Sequence, residues 1–230
     1  MWDDAVMKGR INLIGNDWGY LPVVCEMALE TGMADCFHLY RNIPCEGSPL
    51  TAAGRFSWNY VTHEFGDTDG LADAPLAFGL TFPRGKDVCL RYVGEVAGLR
   101  RESFPRIIHP RAYVAGSAEV GHGCLVEPGA VISSEAVLGF GVTVKRNASV
   151  GHHAVVGDYC DISPGVCMAS RVVVGRAVMI GAGAVIRDGV TIGENSWIGM
   201  GSVVTKDIPA GVIAYGNPAA VVRPNDKWSI

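Results

Sequence analysis

"SVGHHAVVGDYCDISPGVCMASRVVVGRAVMIGAGAVI", residues 149–186, places an aliphatic residue or Met at every sixth position: Val150, Val156, Ile162, Met168, Val174, Ile180 and Ile186. Stepping outward by six, the series starts at Ile108 and runs through Val114, Val120, Val126, Ile132, Leu138 and Val144. Beyond Ile186 it continues through Ile192 and Ile198 to Val204. Two residues before each anchor, from Val114 on, stands Ala, Val, Cys or Ser. A period of six is neither the helical 3.6 nor the plain alternation of a strand. It suits a short strand plus a sharp turn, repeated, with the anchor and the slim residue sharing strand parity and pointing inward. Gly follows the anchor at 121, 139, 151, 157, 175, 181, 193 and 199, where it is expected to supply turn conformations that a side chain resists. Three units close a triangular coil, and coils stack as parallel β-ladders. Roughly six coils, ~4.8 Å apart, make a prism ~27 Å tall.

The chain before residue 105 has a different grammar. INLIG (11–15) reads as a strand ending in a glycine turn, and PVVCEMALETG (22–32) as a helix stopped at Gly32. CFHLY (36–40) and PLAFGL (75–80) read as strands. In KDVCLRYVGEVAGLR (86–100), Val88, Tyr92, Val96 and Leu99 are expected on one helical face. Strand–Gly–helix–strand predicts a small Rossmann-like α/β domain over 1–104, followed by the β-helix and its tail over 105–230. Residues 41–74 show no regular pattern.

Composition narrows the class. The chain has 230 residues, is 49% hydrophobic and 18% charged, and carries a formal net charge of −4, which argues against a dedicated nucleic-acid binder. No run of 18 apolar residues is present, so no membrane span is expected, and the first residues do not read as a signal peptide. Seven cysteines without a C-x-x-C suggest reduced thiols and a cytoplasmic protein. Cys124 and Cys160 fall in inward slots and are expected in the core.

The hexad array resembles the hexapeptide-repeat acyltransferases, whose fold is a left-handed parallel β-helix. The handedness follows from that resemblance, since ordinary parallel crossovers are right-handed. The α/β domain followed by uninterrupted coils, closing in IGMGSVVTKDIPAGVIAYGNPAAVVR (198–223), resembles the sialic-acid O-acetyltransferase and bacillosamine-pathway sugar N-acetyltransferase family. The resemblance implies transfer of an acetyl group from acetyl-CoA to an amino sugar, in a homotrimer whose subunits complete one another's clefts.

It also implies roles. The family's S-V-x-H segment is Ser149-Val150-Gly151-His152, which makes His152 the general base at a coil corner. Imidazole suits proton removal near neutral pH from an amine or hydroxyl attacking a thioester. Asp161, Ser170, Ala182, Met200 and Lys206 take the positions that contact acetyl-CoA. His152, Ser170, Asp188 and Lys206 repeat at one corner, spanning three coils or ~14 Å, comparable to a pantetheine arm, with the phosphates falling toward Lys206 and Arg223. Gly15, Tyr20, Arg41 and Lys145 take the acceptor positions. The chain departs from the family in five places, one of them Tyr20, which stands at a His site in a glycine turn one residue longer than the family's. His153 replaces the acidic residue that usually follows the base, Lys145 stands at an Asn site, Asp161 stands at a His site, and Tyr40-Arg41 replaces an acidic pair.

Zinc is the competing reading of the histidines. No H-x-x-x-x-H occurs, and His122 and His152 are five hexads apart, on different sides of the prism, so no metal site is expected. His38, His63 and His109 show no partner pattern. Three functions fit: an N-acetyltransferase on an amino sugar, probable acceptor nucleotide-linked; an O-acetyltransferase on a sugar hydroxyl with the same base; and a non-catalytic β-helix scaffold.

Overall fold

A computed structural model describes residues 9–15, 19–40, 59–64 and 66–226. The chain forms two compact units. One comprises residues 1–81 and 88–105, the other 82–87 and 106–230.

In the first unit, β1 (Arg10–Ile14), α1 (Leu21–Glu30), β2 (Cys36–Tyr40), β3 (Asn59–His63) and β4 (Leu76–Phe78) build a parallel sheet in the order β3-β2-β1-β4. This is the Rossmann-like arrangement expected from the strand–helix–strand grammar. Ile11, Leu13, Val24, Phe37 and Leu76 are its core. Strand β3 lies inside the stretch that shows no pattern. It is an edge strand with no buried residue, held by the ladder to β2, so burial has not shaped its sequence. Gly15 caps β1 at φ +99°, where an added Cβ would strike Leu80.

Helix α2 (Pro83–Ala97) corrects the expected face. The buried stripe is Pro83, Lys86, Cys89 and Val93, while Val96 is exposed and Val88 and Tyr92 are half-buried. A lysine within it, Lys86, hides this stripe from a hydrophobicity pattern.

The second unit is a left-handed parallel β-helix. Among the described residues it has seventeen two-residue rungs, from Ile107–Ile108 to Val203–Val204, and the anchor is the second residue of every rung. From Val126 on, all anchors are buried, and with the slim residues they fill the prism axis. The first face stacks the rungs beginning Ile107, Leu125, Thr143, Asp161, Met179 and Trp197. It continues into the hairpin Val212–Gly216 and Ala219–Pro224. The second face begins at Tyr113 and the third at Glu119, each stepping by eighteen residues.

The post-anchor glycines correct a second expectation. They do not adopt the left-handed conformation. That conformation recurs instead three residues after the anchor, on Glu135, Asn147, His153, Tyr159, Arg171, Ala177 and Asn195 as well as on glycines. The post-anchor glycines are needed for stacking: a Cβ on Gly151 would lie 2.5 Å from the carbonyl of Ala169 on the next coil.

Candidate active site

The rung Ser149–Val150 delivers the chain to the corner between the second and third faces, and Gly151, His152 and His153 make the turn. The His152 carbonyl accepts from the Arg171 amide (2.9 Å) on one neighbouring coil. The His153 amide donates to the Ser134 carbonyl (3.0 Å) on the other. The backbone is therefore fixed while both rings stand exposed. His153 has φ 58°, a region that His enters more readily than most residues. The turn brings the two Nδ1 atoms to 3.0 Å, with the rings edge to face at 84° and centroids 5.1 Å apart. Ser170 and Lys206 stand on this same corner, one and three coils along, half-buried and exposed respectively. Asp188 between them pairs with Arg171 at 2.6 Å.

Ala182 and Met200 lie on a different corner, between the first and second faces. There they line a groove of about 690 Å³ with Met179, Trp197, Tyr215 and Arg223. The lining is mostly apolar, with Ser163 and Tyr215 adding hydroxyls and Arg223 the one charge; the Arg223 guanidinium is 3.6 Å from Asp226. Within one chain the structure thus separates the expected acetyl-CoA contacts into two groups, on adjacent edges of the prism.

Asp161 and Lys145 belong to neither group, and the burial of Asp161 corrects the expectation that it contacts acetyl-CoA. Asp161 is fully buried, and its carboxylate lies 2.9 Å from the Lys145 ammonium. The contact is not aligned as a hydrogen bond, so charge holds it. Ser163 Oγ adds a donor at 3.4 Å to the other oxygen. The two departures from the family pattern at these positions are therefore partners: one loses an amide and the other an imidazole, and together they gain an ion pair. Lys86 lies beside them, completely buried, donating to the Gly141 carbonyl and to Thr143 Oγ1 at 2.7 Å each. Burial lowers its pKa to about 8 despite the Asp161 charge.

In the first unit Gly15 and Tyr20 are both buried at the end of β1 and the start of α1. Arg41 lies outside the described residues. His38 and His63 do have partners, contrary to expectation. His63 bridges His38 (2.8 Å) and Asp67 (2.9 Å) and stacks on Tyr40 at 4.0 Å. Burial, then Arg10, then His63 lower the pKa of His38. Arg10, Asn12 and Tyr40 on the same sheet face bond the backbone of residues 69–71.

Residues 171–206 match the family described as bacterial transferase hexapeptide (six repeats). No curated protein sequence matches the chain. Among solved structures, the acetyltransferase domain of PglB from Neisseria gonorrhoeae, in complex with acetyl coenzyme A, is 26% identical. The alignment covers 94% of this chain and 100% of that one with a TM-score of 0.77. Perosamine N-acetyltransferase from Caulobacter crescentus, in complex with CoA and GDP-perosamine, is also 26% identical, covering 93% and 97% with a TM-score of 0.74. WeeI from Acinetobacter baumannii, 22% identical over 92% and 99% with a TM-score of 0.71, shares the fold. Residues 171–206 thus carry the hexapeptide-transferase repeat, and the chain is an acetyltransferase.

Two residues of this acetyltransferase that sequence reasoning missed have identifiable signals. Met179 and Trp197 are outward residues too large for a plain rung, and both line the groove. Lys86 has no signal, since what buries it lies more than fifty residues along the chain. Cys124 and Cys160 occupy the core as expected, and burial pushes both thiols up to about 12, which leaves them unreactive. Among the described residues, no group of three or more His, Cys, Asp and Glu could hold a metal ion, and no helix is long and apolar enough to cross a membrane.

Proposed function

We propose that this acetyltransferase moves the acetyl group of acetyl-CoA directly to the amine of a nucleotide-linked amino sugar, with His152 as general base. The observation that carries the reading is the His152 corner: an exposed imidazole on a backbone clamped to two neighbouring coils, with its Nδ1 occupied by a neighbour. The amine attacks the thioester carbonyl and the new N–C bond forms as the C–S bond breaks. His152 Nε2 takes the proton from the amine and returns it to the departing thiolate. Of the described cysteines, Cys25, Cys89, Cys124 and Cys160 are buried, and the direct attack proposed here uses no cysteine, the exposed Cys167 included. The PglB domain bound to acetyl coenzyme A and the Caulobacter enzyme bound to CoA and GDP-perosamine support the two substrate classes.

The reading includes a homotrimer. On the first face the outward residues Leu125, Thr143 and Asp161 are covered by the chain itself. The other two faces expose Tyr113 (61%), Val131 (37%) and Val185 (43%), and Val155 (44%) and Val173 (43%). These apolar faces meet at the corner that carries His152. A neighbouring copy packed there covers them and brings its own first-corner groove, with Arg223 for the phosphates, toward the histidine. This would reunite the two groups of acetyl-CoA contacts that one chain holds apart. Scattering should give about 73 kDa, three copies of a 24.4 kDa chain. A monomer at micromolar concentration would remove the shared site.

Thiol release from acetyl-CoA, measured against nucleotide-linked amino sugars, free amino sugars and hydroxyl acceptors, tests the substrate assignment. Turnover with nucleotide-linked amines only is the expected outcome. Equal turnover of free sugars would contradict it, and hydroxyl turnover would make the enzyme an O-acetyltransferase.

A further inference from the structure

We infer that His153 is a positioning residue: it accepts the Nδ1 proton of His152 and so holds the base in the tautomer that leaves Nε2 free. The inference rests on the reading of His152 as the base.

Two neutral imidazoles whose Nδ1 atoms lie 3.0 Å apart can share a single proton between them, one donating and one accepting. A base that works through Nε2 must carry its proton on Nδ1, so His152 is the donor and His153 the acceptor. His153 then carries its own proton on Nε2, directed away from the pair. The opposite assignment places the proton on Nε2 of His152 and leaves it nothing with which to deprotonate an amine. Among the described residues no other side chain bonds the His152 ring. The charged groups on this corner are Glu135 on one adjacent coil and Arg171 on the other, with Arg187 and Asp188 one coil further and Lys206 and Asp207 beyond them. Arg171 and Asp188 are committed to each other, and the Glu135 carboxylate makes no bond to either ring.

The geometry is set by the backbone. His153 occupies the left-handed position that recurs at each corner, and its amide is tied to Ser134, so the ring is turned back toward His152 instead of out along the face. A residue without a side-chain acceptor at 153 keeps this turn and loses the tautomer control. When the base takes a proton, the Nδ1–H···Nδ1 bond becomes charge-assisted, which favours the protonated base. A proton arriving first on His153 instead abolishes the acceptor. The pair therefore holds one useful proton, at Nε2 of His152.

The test is a set of substitutions at 153 measured beside His152→Ala. His153→Phe keeps a ring of similar shape without an acceptor. It should lower kcat about 10- to 100-fold, with KM for both substrates within about threefold of the parent. His153→Glu restores an acceptor. It should recover most of kcat and move the acidic limb of the pH–rate profile to higher pH, because a carboxylate stabilises the His152 cation more than an imidazole does. Nitrogen-15 NMR of the imidazoles without substrate should show His152 protonated at Nδ1 in the parent and shifted toward the Nε2–H form in His153→Phe. Full activity of His153→Phe, or an unchanged tautomer, overturns the positioning role. Full activity of His152→Ala overturns the base itself, whatever the variants at 153 do.

Discussion

Asp161→Asn is the sharpest test of the buried charge cluster. The substitution keeps the shape and removes one negative charge from a site that is fully buried, 2.9 Å from the Lys145 ammonium and within Coulombic reach of Lys86. Removing one partner of a buried pair typically costs about 3–5 kcal/mol. Lys145 retains 16% side-chain exposure and can turn partly toward water, so the lower end applies, about 3 kcal/mol. Lys86 has no such escape. Its pKa is about 8 in the folded chain against 10.5 for a lysine in water, so its charge already costs about 3 kcal/mol at neutral pH. The sign follows from proton counting. The folded pKa lies below the unfolded one, so the unfolded chain binds more protons between pH 8 and 10.5, and the Lys86 contribution to stability rises with pH across that window. Below pH 8 the penalty is complete. The Asp161→Asn deficit should therefore be about 3 kcal/mol at pH 7 and should narrow at pH 9.5, where Lys86 is neutral in both proteins. Urea denaturation at fixed protomer concentration measures it. A deficit below about 1 kcal/mol at pH 7, or one that grows with pH, would refute the cluster as described.

Two further outcomes follow from the geometry. Gly151→Ala should cost about 2–3 kcal/mol and displace the His152 corner, because the new methyl meets coil backbone at 2.5 Å. Gly116→Ala, with nothing within 4 Å, should change stability by less than about 0.5 kcal/mol, and paired thermal melts compare them. Arg223→Ala should raise KM for acetyl-CoA about tenfold, leaving the acceptor KM unchanged, since Arg223 is the cation of the apolar groove; steady-state kinetics with each substrate varied reads the split.

The hexad pattern exposed the β-helix because the inward positions repeat without a single exception from Ile108 to Val204. The same period placed His152, Ser170, Asp188 and Lys206 on one corner, since residues eighteen apart stack. What the pattern could not show was non-local. Asp161 is the outward residue of its rung and reads as a surface carboxylate, but the first face is covered, so it is buried. The spacing of small residues identified the post-anchor glycines correctly while hiding their purpose, which is coil-to-coil clearance and not turn conformation. Strand β3 and the His38–His63–Asp67 chain were illegible for a related reason: an edge strand without buried residues has no burial pattern, and its His63 meets His38 only across the β2–β3 ladder and Asp67 only across the following turn.

Acetyl transfer with His152 as general base is tested most directly by the turnover of His152→Ala. With the acceptor that the parent enzyme uses and acetyl-CoA saturating, kcat for thiol release should fall ~10²–10⁴-fold while the scattering mass and urea midpoint stay those of the parent. Parental turnover by a correctly assembled His152→Ala would contradict the assignment and move the base elsewhere in the cleft.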